Sequence, residues 1–170
     1  MSEAELGKVR QLSARTDPRD TVDRRREAEL VVVAPHGVSQ LHQLLMGSTT
    51  DWLLHYSPIP LVVVRSATPT RRVLVCDDGS DHARHAVDRL GQLPWIPDTD
   101  IRVLTVDEVM SGHEPNVTAE QLRARGAHVT VEYRQGKPTD TILEEIERLE
   151  PQLVLLGTRG LTGWKRVRLG

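Results

Sequence analysis

A glycine-rich run, Gly157-Thr158-Arg159-Gly160, follows the apolar segment Leu153-Val154-Leu155-Leu156, and Gly170 comes after a spacer of nine residues. Glycine has no Cβ, so its backbone N–H can approach a phosphate closely. A helix that starts after such a loop turns its positive end toward an anion. Arg159, Lys165, Arg166 and Arg168 bring cationic charge to the same stretch, although such residues suit a solvated helix face equally well. A second polar loop, Asp77-Asp78-Gly79-Ser80, ends the apolar run Val73-Leu74-Val75-Cys76. An aspartate at a strand end can accept hydrogen bonds from a ribose; Asp-Gly by itself is a turn signal. His82 and His85 stand three apart, close enough to share a helix face. With Asp77, Asp78 and Asp81 they suggest a metal, but no further cluster supports one. The sequence holds no spacing suggestive of a Ser-His-Asp or Cys-His nucleophile and no Walker-type Gly-Lys-Ser/Thr.

The elements that must position these loops alternate. Strands are predicted over residues 73–76, 101–106, 129–133 and 153–156, with helices over 81–93, 118–125 and 139–149 between them. In the last helix Ile142, Leu143, Ile146 and Leu149 fall on one face. Four strands separated by helices imply a parallel sheet with right-handed crossovers. Both candidate loops then lie at carboxyl ends of strands, where open parallel sheets bind ligands. Upstream, residues 30–33 and 61–64 read as buried strands flanking a helix over 41–55, with Pro58 and Pro60 ending it. Helices are also expected over 2–14 and 20–28.

The chain repeats itself. Leu30 to Ser39 parallels Leu153 to Thr162 at an offset of about 120 residues, and Gly47 answers Gly170. Pro18-Arg19-Asp20-Thr21 answers Pro138-Thr139-Asp140-Thr141 in the same order. That period is too long for a solenoid and suits a small domain. Residues 1–66 therefore read as the closing part of a first domain: an N-terminal helix, then strand–helix–strand. Residues 67–71 read as a linker. Residues 72–170 read as a second domain without its last helix and strand. In the first copy Ala34 replaces the first loop glycine and His36 stands where Arg159 does, so that copy is expected not to bind an anion in this way.

Composition narrows the class. The 170 residues are 38% hydrophobic and 27% charged, with no Phe, so the core must be built from Val, Leu, Ile and Ala. A net charge of −2 argues for neither a nucleic-acid nor a membrane partner. No apolar run approaches the roughly 20 residues of a membrane span, and the N-terminus lacks the apolar stretch of a signal peptide. The single cysteine, Cys76, has no internal partner, which fits a reducing, cytoplasmic setting.

Together these motifs resemble the universal stress protein family, over residues 72–170 nearly continuously and 17–65 in part. The family's nucleotide-binding members carry Gly, two residues, Gly, nine residues, Gly, then Ser or Thr. Gly157, Gly160 and Gly170 match, Val75 to Ser80 is similar to its first strand and loop, and Gly136-Lys137-Pro138 to its turn after the third strand. The resemblance implies an α/β fold: an open parallel sheet of five strands in the order 3-2-1-4-5 with flanking helices. It implies ATP or a related adenine nucleotide (AMP or ADP), with Mg2+ accompanying it, across the carboxyl ends of strands 1 and 4. Asp78, Gly79 and Ser80 would meet the ribose or adenine, Val106 would pack on the base, and Gly157, Thr158, Arg159, Gly160 and Gly170 would line the phosphate path. Cys76 departs from the proline that binding members often have. The resemblance further implies a stress-response regulator, with at most slow ATP hydrolysis, acting as a homodimer or a tandem-domain pseudo-dimer. Two other readings stay open: an interaction module that keeps the fold without a ligand, and a nucleotide-dependent enzyme that would need a further catalytic group.

Overall fold

The computed structural model describes residues 30–33, 52–54, 56–57, 59–64, 68–107 and 115–157; the helices expected over 2–14 and 20–28 lie outside these. The chain divides into two compact units, Met1–Val64 and Arg65–Gly170. In the first, β1 (Val31–Val33) and β2 (Leu61–Val63) pair in parallel, with Val31 opposite Leu61 and Val33 opposite Val63. Parallel pairing demands a crossover between the strands, and residues 52–54 and 56 are helical. Leu53 on that helix is fully buried; the rest of the helix expected over 41–55 lies outside the described residues.

The second unit alternates as the apolar periodicity requires: β3 (Arg72–Cys76), α1 (Asp81–Leu90), β4 (Asp100–Asp107), α2 (Asn116–Arg123), β5 (His128–Gln135), α3 (Pro138–Leu149) and β6 (Leu153–Leu156). The strands form one parallel sheet in the order β5-β4-β3-β6. Counted within this unit the order is 3-2-1-4; among the described residues no strand takes the fifth place of the expected 3-2-1-4-5.

Each strand presents alternate residues to opposite faces. Val73 and Val75 join Val87 and Leu90 of α1 and Leu122 of α2 on one side. Leu74 and Leu104 meet Ile142 of α3 on the other, with Cys76 and Val106 packed beside them. Full burial of each such aliphatic side chain contributes roughly 1.5–3 kcal/mol, so both faces of the central strand β3 hold the sheet in place.

Helix ends differ slightly from expectation, for local reasons. α1 stops at Leu90 rather than at 93, because Gly91 leads into tight turns in which Leu93 N–H donates to the Leu90 carbonyl and Ile96 N–H to the Leu93 carbonyl. Pro94 and Pro97 lie in that stretch and cannot supply helix N–H groups. α3 ends at Glu150 in the left-handed region, φ 46°. That conformation is unfavourable for a residue with a Cβ, but it turns the Glu150 carbonyl toward the Arg72 guanidinium, which donates to it at 3.0 and 3.3 Å.

On the α3 side the sheet also carries an ionic cluster. Glu145 is 1% exposed and accepts from Arg148 at 2.7 and 2.9 Å and from Arg102 of β4 at 3.2 Å. Glu132 of β5 accepts from Arg102 at 2.7 Å and Arg148 at 2.8 Å. A buried carboxylate is tolerable only when paired in this manner.

Candidate functional site

The carboxyl end of β3 builds one wall. Cys76 faces Leu104 on β4 and Leu156 on β6, so the residues that follow β3 and β6 emerge side by side. Asp77 is only 3% exposed. Its carboxylate accepts from the Thr118 hydroxyl at 2.6 Å and from Gly79 N–H at 3.0 Å. Its backbone N–H donates to the Leu104 carbonyl at 2.9 Å, and its carbonyl accepts from the Thr105 hydroxyl at 3.0 Å. Asp77 thus anchors the loop to β4 and to the start of α2.

Asp78 is exposed, and its carboxylate accepts from Ser80 N–H at 3.0 Å. Two consecutive aspartates each bond the backbone two residues on, the local preference that makes Asp a turn residue. Gly79 adopts φ 73°, a conformation that glycine reaches without steric cost. Ser80 is buried and its hydroxyl accepts from Ala83 N–H at 3.1 Å, capping α1. Arg84, which sequence reasoning missed, secures the loop from the next turn: it donates to the Gly79 carbonyl at 2.7 Å and pairs with Asp81. The Arg84 hydrogen bond holds the Asp81 carboxyl below its ordinary value.

Gly157 closes the other wall. A Cβ there would come within 3.0 Å of Ala83 N and 3.3 Å of Ala83 Cα. The end of β6 is therefore pressed against the first turn of α1, beside Ser80. Val106 is half-buried near the carboxyl end of β4, packed on the Leu74–Leu104–Ile142 cluster. The structure accordingly brings Asp78, Gly79, Ser80 and Gly157 together at one end of the sheet, with Val106 on the neighbouring strand. Thr158, Arg159, Gly160 and Gly170 lie outside the described residues.

The chemistry available there is binding. Of the first N–H groups of α1, which have no intrahelical acceptors, that of Ala83 is taken by the Ser80 hydroxyl, and Gly157 approaches beside it. Burial, reinforced by the charge of Glu145, pushes the Cys76 thiol up to about 12, so it is no nucleophile at neutral pH. Among the described residues no group of His, Cys, Asp and Glu could hold a metal ion, and no helix is long and apolar enough to cross a membrane.

Comparison with known proteins adds to this geometry. The model of the Universal stress protein family matches residues 4–65 and 108–170. A curated universal stress protein of Mycolicibacterium smegmatis is 31% identical over 97% of the chain, which spans 65% of that relative's length. A solved universal stress protein from Archaeoglobus fulgidus DSM 4304 superposes with a TM-score of 0.64 at 20% identity, covering 80% of this chain and 53% of that one, and shares its fold. A universal stress protein solved in complex with cAMP matches at a TM-score of 0.45 and 24% identity, over 51% of this chain and 71% of that one.

Proposed function

This chain belongs to the universal stress protein family, and from that premise we propose that its second unit is a regulatory module that binds ATP or a related adenine nucleotide across the carboxyl ends of β3 and β6. The observation that carries the reading is the contact of Gly157 with the first turn of α1. It brings the end of β6 against the start of α1 at the point where the sheet winding reverses, with β4 and β6 on opposite sides of β3. Phosphates would lie against Gly157 and the start of α1, continuing along Thr158, Arg159, Gly160 and Gly170. The ribose or base would meet Asp78 and Gly79, and Val106 would offer an apolar surface to the base. Ser80 would contribute through the helix start that it caps. Any Mg2+ would arrive with the nucleotide, since the described residues form no metal cluster of their own. A site of this kind, built to hold a ligand, suits a sensor or regulator in the cytoplasm. We further propose the domain layout of a partial first domain over residues 1–66, a linker over 67–71 and a second domain over 72–170, with pairing as a homodimer or tandem pseudo-dimer.

Calorimetric titration with ATP, AMP and cAMP tests the reading. Saturable binding by the native chain is expected, and Asp78→Ala, at an exposed position, should weaken it roughly tenfold while leaving the fold unchanged by circular dichroism. Absence of binding to a folded protein at about 1 mM of every nucleotide, an affinity near −4 kcal/mol, would favour instead the interaction module that keeps the fold without a ligand.

A further inference from the structure

At the opposite, amino-terminal end of the sheet lies a cavity of about 280 Å³ lined by Pro69, Thr70, Arg71, Trp95 and Asp98. Two segments form it: the approach to β3 and the 3-10 turn Ile96–Asp98 that leads into β4. Both backbones are fixed. Gln152 accepts from Arg71 N–H at 3.2 Å and from Arg72 N–H at 2.8 Å. Asp100 N–H donates to the Arg71 carbonyl at 2.8 Å, and the Thr99 hydroxyl donates to the Ile96 carbonyl at 2.7 Å. Ile96 beneath the turn is fully buried in the core.

The side chains contrast with this fixed frame. Among the described residues, the Thr70 hydroxyl, the Arg71 guanidinium, the Trp95 indole N–H and the Asp98 carboxylate have no hydrogen-bond or ionic partner. Arg71 and Asp98 carry opposite charges into one cavity, yet they do not pair with each other. Elsewhere in this unit arginines and acidic residues do pair: Arg84 with Asp81, Arg102 and Arg148 with Glu132 and Glu145, Arg134 with Glu144. An anchored frame, a half-buried indole and two exposed charges of opposite sign line one small cavity, the mix of apolar surface and a few polar groups that suits a small ligand. The volume lies just below the range for drug-sized ligands.

We infer that this cavity binds a small zwitterion of the α-amino acid class. The guanidinium fork of Arg71 matches a carboxylate, the Asp98 carboxylate accepts from an ammonium group, and Trp95 with Pro69 receives the carbon skeleton. The site stands on residues at the far end of the sheet from Asp78 and Gly157, so it does not depend on nucleotide binding.

The test follows the Trp95 indole resonance in 15N-labelled protein, assigned with Trp95→Phe, during titration with L-leucine, L-serine, L-glutamate and L-lysine. At least one should give a saturable shift. Arg71→Gln and Asp98→Asn should each weaken that ligand roughly tenfold, the change expected from one charge-assisted contact. The analogues of that ligand lacking the ammonium or the carboxylate should fail to saturate. No shift with any of the four up to about 10 mM, weaker than about −3 kcal/mol, would overturn the inference. So would a shift that both variants retain in full, or equal binding of an analogue with one charge removed.

Discussion

Thr118→Val removes a single hydroxyl at the most heavily bonded point of the candidate site. Valine keeps the shape of threonine, and position 118 is buried on α2, so packing is largely preserved. What is lost is the 2.6 Å hydrogen bond to the Asp77 carboxylate. Hydrogen bonds to charged groups contribute about 1.5–3 kcal/mol, and a buried acceptor that loses its donor bears a desolvation penalty. Asp77 retains the Gly79 N–H, so the lower part of that range, about 1.5–2 kcal/mol, is expected. With an m-value of about 2 kcal/mol/M in urea, the unfolding midpoint should fall by roughly 0.7–1 M with an unchanged slope. Urea titration followed by far-ultraviolet circular dichroism reads the shift. A midpoint within about 0.2 M of the native protein, roughly 0.4 kcal/mol, would refute the view that Asp77 is a structural anchor satisfied by Thr118.

Gly157→Ala should destabilise the chain by about 1–3 kcal/mol, since the added methyl meets the backbone of Ala83 and not a yielding side chain; thermal unfolding measures it, and an unchanged midpoint would disprove the close contact. Glu132 is opposed by burial, but the hydrogen bonds from Arg134 and Arg102 hold its carboxyl below the ordinary value of 4.5. A depressed folded pKa gives stability that is present above the unfolded value and lost as pH falls through the folded one. The stability difference between the native protein and Glu132→Gln should therefore be full near pH 7 and shrink once the pH drops below about 4; a difference independent of pH would contradict this. The Cys76 thiol, raised from 9.0 to about 12, contributes stability below pH 9 that declines as pH rises toward 12. It should resist iodoacetamide in the folded protein at neutral pH and react on unfolding, and prompt native-state labelling would count against that environment.

Much of this arrangement is legible in the sequence because its causes are local. The continuous apolar runs at residues 73–75 and 153–155 have no polar alternation and read as strands covered on both faces, and the helices between them leave a parallel sheet as the consistent arrangement. The Asp-Gly pair marks a turn whichever way the chain folds. What escapes is whatever depends on partners distant in sequence. Asp77 and Asp78 are identical in type, yet one is buried and bonded to Thr118, and the other faces solvent. Nothing in the spacing distinguishes them except strand alternation, which places 77 one step beyond the inward Cys76. Gly157 reads as a phosphate-loop residue; its contact with Ala83 gives it a packing reason as well, visible only once β6 lies beside β3. Arg84 reads as an ordinary exposed helix residue, because its hydrogen bond to the Gly79 carbonyl requires the geometry of the turn.

The ionic cluster under α3 also sets a coordinate that apolar packing leaves loose. Ile142, Ile146 and Leu149 would present much the same greasy stripe if the helix slid by one turn along the strands, roughly 5.4 Å. Glu145 would not tolerate that slide. Displaced by a turn, its carboxylate would remain inside the protein while Arg102, fixed to β4, stayed behind. Glu145 would keep Arg148, which travels on the same helix, but its bond from Arg102 and the bond from Arg148 to Glu132 would both break; a hydrogen bond to a charged group contributes about 1.5–3 kcal/mol, so neighbouring registers are poor competitors. Arg102 and Glu145 thereby act as a detent: they select one stop along a track that hydrophobic contact alone would leave smooth, and the turn from Gly136 to Pro138 inherits its position from that stop.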